Sequence, residues 1–128
     1  MLAVWFLLGM MFAAACGKQE KDWKDLEFTV VEEGRLPEEL RKLVEEKKEE
    51  PFKMTYADGG YLYLCVGYGR QQTGGYSITV NRLGATEHTV CLDTNLLGPT
   101  QAELQNASPS FPWLVVKIPF VDKTVVFE

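Results

Sequence analysis

The sequence predicts an α+β fold: one helix packed on a mainly antiparallel sheet of about six strands, curled into a sandwich or partial barrel. Three observations carry that prediction. Residues 36–51 repeat their apolar side chains at helical spacing. From residue 52 onward the chain alternates in short runs separated by glycine, proline and asparagine, the pattern of strands and turns. The length of 128 residues, with 46% apolar and 24% charged content, suits one globular domain.

The first residues stand apart from that domain. "MLAVWFLLGMMFAAA" (1–15) carries no charge, and "CGKQEKDWKD" follows at once. A bilayer span needs about 20 apolar residues, so this shorter run suits the apolar core of a secretory signal. Ala13, Ala14 and Ala15 directly before Cys16 resemble the bacterial lipobox, where the chain is cut ahead of an acylated cysteine. Two departures from that pattern are Ala13, where leucine is usual, and the lack of Lys or Arg before the apolar run. The expectation is a signal peptide over 1–15, a lipid-anchored tether over 16–25 with Trp23 available to pack on the domain, and a domain over 26–128. The protein would then sit at the cell membrane on its extracytoplasmic face, held by lipid on Cys16. A cleaved signal with Cys16 merely nearby, or a short anchor, is the alternative.

The elements follow in order. Leu26, Phe28 and Val30 alternate with Glu27 and Thr29, which predicts a half-buried strand over 26–31, ended by Gly34. In the helix, Pro37 suits the first turn and Pro51 stops the pattern. Leu36, Leu40, Leu43 and Val44 form its apolar stripe. Glu38 lies four residues before Lys42, a favourable spacing for an ion pair. Residues 52–57 alternate weakly, and "DGG" (58–60) signals a turn. "YLYLCVGY" (61–68) places Leu62, Leu64 and Val66 on one face and Tyr61, Tyr63 and Cys65 on the other. Over 76–83, Tyr76, Ile78 and Val80 point inward. Over 86–97, Val90 and Leu92 share a face opposite Cys91. Residues 95–112 are a long irregular connection. The runs 113–120 and 123–128 are expected to form a hairpin turning at Val121 and Asp122, with Pro119 marking an edge or bulge. If 61–68, 76–83 and 86–97 form a meander, Cys65 and Cys91 lie about 9–10 Å apart. A disulfide needs about 7 Å or less between Cα atoms, so both are expected to remain free thiols unless those two strands pair directly.

Most chemistry is disfavoured. A net charge of −5 with no basic stripe argues against nucleic acid. His88 is the one histidine, and residues 88 and 91 of a strand face opposite ways, so no local Cys–His dyad forms. One histidine and scattered cysteines do not make a zinc spacing. The glycines of "GYGRQQTGG" precede a strand, whereas a dinucleotide fingerprint precedes a helix. The expectation is a protein that is not an enzyme and needs no cofactor or metal.

"GYGRQQTGGYSI" (67–78) is the one stretch that packing does not account for. Together with Gly98, Pro99 and "SPSFPWLVVKIP" (108–119), it resembles the C-terminal domain of the PrcB family, typified by Gly-x-x-x-Thr-Gly-Gly-Tyr before an apolar strand. The matching residues are Gly69, Thr73, Gly74, Gly75, Tyr76, Ser77 and Ile78, then Gly98, Pro99, Pro112 and Trp113. Gln72 replaces the usual proline, and Trp113 stands where tyrosine is common. The resemblance spans about residues 36–128. It implies a small secreted or lipid-anchored bacterial protein associated with a surface protease complex, and it transfers no catalytic residues. A fainter echo, of "QTGGYSI" and "SFPWLVV" in that order, is to chagasin-type protease inhibitors, which display two such loops on an immunoglobulin-like sandwich. Phe111 replaces their arginine before Pro-Trp.

Read physically, Gly74 and Gly75 permit a left-handed backbone and close approach. Tyr76 would plug the core beneath the loop. Arg70, Gln71, Gln72 and Thr73 would stand outward, with Pro112 and Trp113 converging on them, as a partner-binding patch on a monomeric domain. The plainer alternative is a tight bulged hairpin with Tyr76 and Trp113 in the core. Three classes stay open: an accessory module binding a protein such as a surface protease, a protease inhibitor presenting 69–75, and an enzyme whose site is not recognisable.

Overall fold

The computed structural model describes residues 22–100 and 108–128. Along the chain run β1 (Lys24–Asp25), β2 (Thr29–Val30), a 3-10 turn (Glu33–Arg35), the helix α1 (Glu38–Lys47), β3 (Pro51–Asp58), β4 (Tyr61–Tyr68), β5 (Ser77–Ala85), β6 (Thr89–Leu97), β7 (Trp113–Pro119) and β8 (Thr124–Phe127). The strands form two four-stranded sheets, β1-β5-β6-β8 and β2-β7-β4-β3. Every pair is antiparallel except β6–β8, which is parallel. The described residues adopt the expected α+β architecture, one helix on a mainly antiparallel sandwich.

Two apolar layers hold it. Between the sheets, Leu62 and Leu64 of β4 and Val116 and Ile118 of β7 meet Leu83 of β5 and Val90 and Leu92 of β6. On the other face of the second sheet, Tyr63, Cys65 and Val115 receive Leu36, Leu40 and Val44 from the helix segment. β4 is therefore covered on both sides, which is why "YLYLCVGY" is apolar on both faces. Leu40 and Val44 are fully buried, each side chain contributing about 1.5–3 kcal/mol of transfer free energy. On the solvent side Glu38 pairs with Arg41 at 3.6 Å, one residue short of the Lys42 its spacing favoured.

Several connections differ from expectation. β4 does not pair with β5: the chain crosses from one sheet to the other over 69–76, so there is no 61–97 meander. β7 and β8 likewise belong to different sheets, so 113–128 is a crossover and not a hairpin. Alternation reports which residues share a face, and it is silent on which sheet a strand joins. The strand expected over 26–31 is reduced to Thr29–Val30. Lys24 and Asp25, expected in the tether, instead pair with Ala85 and Gly84. Trp23 lies flat against Gly84, where a Cβ would strike the indole, and the Arg82 guanidinium covers the same ring at 4.0 Å.

The cysteines are separated for a different reason from the one expected. Cys65 faces the helix, and Cys91 faces away from the intersheet core on the other sheet. Cys65 is a free thiol. Cys91, expected to be free, is disulfide-bonded, and not to Cys65. The expected signal over 1–15 and the lipid site at Cys16 lie outside the described residues. Among the described residues, no helix is long and apolar enough to cross a membrane.

Candidate functional site

The crossover begins where β4 ends. Gly69 has φ +77°, and a Cβ there would stand 2.9 Å from the Pro51 ring, so glycine is required twice over. Gln71 then forms an isolated antiparallel bridge with Ser110. Its N–H donates to the Ser110 carbonyl at 2.8 Å, and the Ser110 N–H returns the bond at 3.0 Å. The Ser110 hydroxyl donates to the Thr73 carbonyl at 2.7 Å. One residue before Gly69, the Tyr68 N–H donates to the Pro112 carbonyl at 3.1 Å. Gly75, at φ +86°, releases the chain into β5. Gly74 adopts no positive φ, so only one of the paired glycines uses that freedom.

These bonds sort the expected site residues. Arg70, Gln72 and Gly75 are exposed. Gln71 and Thr73, expected to stand outward, are half-buried and turn their polar groups inward. Gln71 Nε2 donates to the Tyr68 carbonyl at 3.1 Å, and Thr73 Oγ1 donates to the Gly74 carbonyl at 3.2 Å. Pro112 is half-buried beside the loop. Trp113 packs against the helix-side layer, as its core reading expects. Tyr76 is half-buried and belongs to neither core cluster; its ring lies on Gly98. It does not plug the core, because the crossover delivers it to the end of the sandwich and not between the sheets.

Two contributors were not singled out from sequence. Ser110 is the brace, and "SPS" alone gave no sign of it. Tyr68 closes the sandwich beneath the loop by sharing a 2.6 Å hydrogen bond with Thr94 Oγ1 of the facing sheet. Phe111 ties the bracing segment to the helix through a contact with Lys48 Nζ at 5.6 Å from the ring centre.

The titratable groups assemble nothing comparable. Burial pushes the Cys65 thiol up to about 12, so at neutral pH it stays protonated and is a poor nucleophile. His88 is exposed in the β5–β6 turn beside Glu87 at 3.8 Å, on the other sheet from Cys65. Among the described residues, no group of three or more His, Cys, Asp or Glu could hold a metal ion.

Fold and loop together define a class: a small β-sandwich with a helix packed on one sheet, presenting a braced, glycine-bracketed crossover at one end. Residues 62–119, from β4 through β7, match the model of the PrcB C-terminal family. The match contains the loop and both of its supports, and it bears out the resemblance read from Gly69 and Thr73–Ile78. It is shorter than the 36–128 span that the sequence resemblance covered. No curated protein and no solved structure matches the chain.

Proposed function

We propose that the chain is an exported accessory lipoprotein that binds another protein, a component of a cell-surface protease complex, through the end of the sandwich carrying Arg70 and Gln72. The observation behind this reading is the bracing of 69–75 by Ser110. It holds the backbone rigid while two long polar side chains stay free in solvent, and loops held on rigid scaffolds are where binding residues concentrate. The match to the PrcB C-terminal family supports an accessory role, and the sequence resemblance suggests a protease complex as its setting. Pro112 and Trp113 flank the patch. In this reading the Cys16 sulfur carries the lipid, which would hold the domain at the extracytoplasmic face of the membrane and would leave that sulfur unavailable for a disulfide with Cys91.

Two experiments test this. A photo-crosslinking amino acid at position 72 of the native protein should trap one protein partner in living cells, and the same probe at Glu46 on the helix should not. Trapping at both positions or neither counts against the loop. Mass spectrometry of the native N-terminus should find a diacylglyceryl cysteine at Cys16; an intact 1–15 segment rules the anchor out.

A second reading is favoured by one observation. The two stretches that echo the inhibitor loops are joined by the Ser110 hydroxyl, which donates to the Thr73 carbonyl, and so share one end. A protease inhibitor would block papain-like or subtilisin-like enzymes in a direct assay, and an accessory module would not.

A further inference from the structure

Residues 22–26, whose composition suits a solvated tether, are held at every step. Lys24 and Asp25 pair with Ala85 and Gly84 in antiparallel register. The Leu26 N–H donates to the Leu83 carbonyl at 3.0 Å. The Asp22 carboxylate accepts the Glu87 N–H at 2.7 Å. Trp23 lies on Gly84 beneath the Arg82 guanidinium, and its indole N–H donates to Asp25 Oδ1 at 2.8 Å. The segment is thus fixed both to the edge of β5 and to the turn that follows it. Lys24 and Asp25 are themselves exposed, so apolar burial does not account for their place.

What the pairing fixes is direction. Going back from Asp25 to Asp22, the chain runs toward the end of β5 and the 86–88 turn. The crossover 69–76 leads into the start of β5 at Ser77. The point where the chain enters the domain and the loop therefore stand at opposite ends of one strand. β5 runs Ser77–Ala85, and at about 3.3 Å per residue its ends lie about 26 Å apart. Cys16 lies six positions before Asp22. Even at full extension those positions cover only about 20 Å, too little to bring Cys16 level with the crossover. A domain lying flat on an anionic lipid surface needs a basic face, and the chain has a net charge of −5 with no basic stripe.

We propose that residues 22–26 are an orienting clamp. They set the membrane-attached end of the domain at the 86–88 turn and stand the loop 69–75 at the membrane-distal end. The partner that Arg70 and Gln72 meet is then an extramembrane protein domain, and not a membrane-embedded or juxtamembrane segment. The attachment rests on the lipid proposed at Cys16, whereas the clamp is built wholly from residues 22–26, 82–85 and 87.

The test places protein purified from its native membranes in nanodiscs carrying a small fraction of headgroup-nitroxide lipid, and reads the paramagnetic broadening of each amide. Mass spectrometry of the same sample reports the state of Cys16. The amides of Glu87 and His88 should broaden, and those of Arg70, Gln72 and Gly75 should keep their line widths. In the Asp22→Ala/Trp23→Ala protein this difference between the two ends should be lost. Peptides crosslinked to position 72 should map to an extramembrane domain of the partner. Loop amides broadened as much as those of the turn, on a protein with diacylglyceryl at Cys16, overturn the orientation and leave the lipid reading standing. An unmodified Cys16 overturns the lipid reading, and the orientation falls with it. A clamp variant that folds and keeps the wild-type profile overturns the clamp, and a crosslinked peptide from a membrane-spanning segment overturns the partner assignment. The wild-type profile decides the orientation even where the variant misfolds.

Discussion

The two ends of the sandwich are closed by different means. At one end, Gly59 and Gly60 turn β3 into β4 at φ +60° and +85°. The Thr86 and Thr89 hydroxyls share a 2.6 Å bond across the β5–β6 turn, and Lys123 Nζ reaches the Thr86 carbonyl at 2.7 Å. At the other end the chain passes from sheet to sheet over 69–76, and Gln71, Thr73 and Ser110 lock the crossing. A hairpin turn needs only two residues of suitable φ and leaves nothing over to present. A crossover must span the roughly 10 Å between packed sheets, and that length brings side chains with it. The length of 69–76 is thus a requirement of topology and no sign of function. What distinguishes this end is that it is braced from within while Arg70 and Gln72 remain outside.

The sharpest contrast should come from glycine. Gly59→Ala meets open space and carries only the left-handed backbone cost of about 1–2 kcal/mol. Gly69→Ala adds a collision with Pro51, for a total loss of about 3 kcal/mol. Equal losses in chemical denaturation would mean that the crossover is no more constrained than the turn. Next, Tyr76→Ala should cost about 1–1.5 kcal/mol, the value for a half-buried ring. A loss of 3–5 kcal/mol, the range for core aromatics, would restore Tyr76 as a core plug. Ser110→Ala removes one hydroxyl bond and should cost about 1 kcal/mol. It should speed hydrogen exchange at Gln71 and leave the Gly59–Gly60 end untouched. Unchanged exchange at Gln71 would show that the backbone bridge alone holds the loop.

Much of the frame was legible and much of the wiring was not. Leu36, Leu40 and Val44 announced the helix because their spacing is imposed by the face they bury. The strand 61–68 was read to the residue, since strongly apolar runs leave little latitude. Its apolarity on both faces corresponds to the cover it receives from the facing sheet on one side and the helix on the other. Lys24 and Asp25 carry no apolar signal, and their place in a sheet rests on backbone pairing alone. The loop stood out by composition, yet Gln71 and Thr73 looked as outward-facing as Arg70. A polar side chain that bonds its own backbone and one that faces solvent read alike in sequence. Ser110 was invisible because its role depends on a crossing that no local pattern encodes.

The central claim is that the braced loop is a binding surface and not merely a connection. The most direct test is partner capture from native membranes by the Arg70→Ala/Gln72→Ala protein, with its unfolding measured alongside. Both side chains are exposed, so stability should move by under about 0.5 kcal/mol. The account predicts that stability persists while capture of the partner trapped by wild type is lost. Capture equal to wild type from an equally stable variant would contradict it.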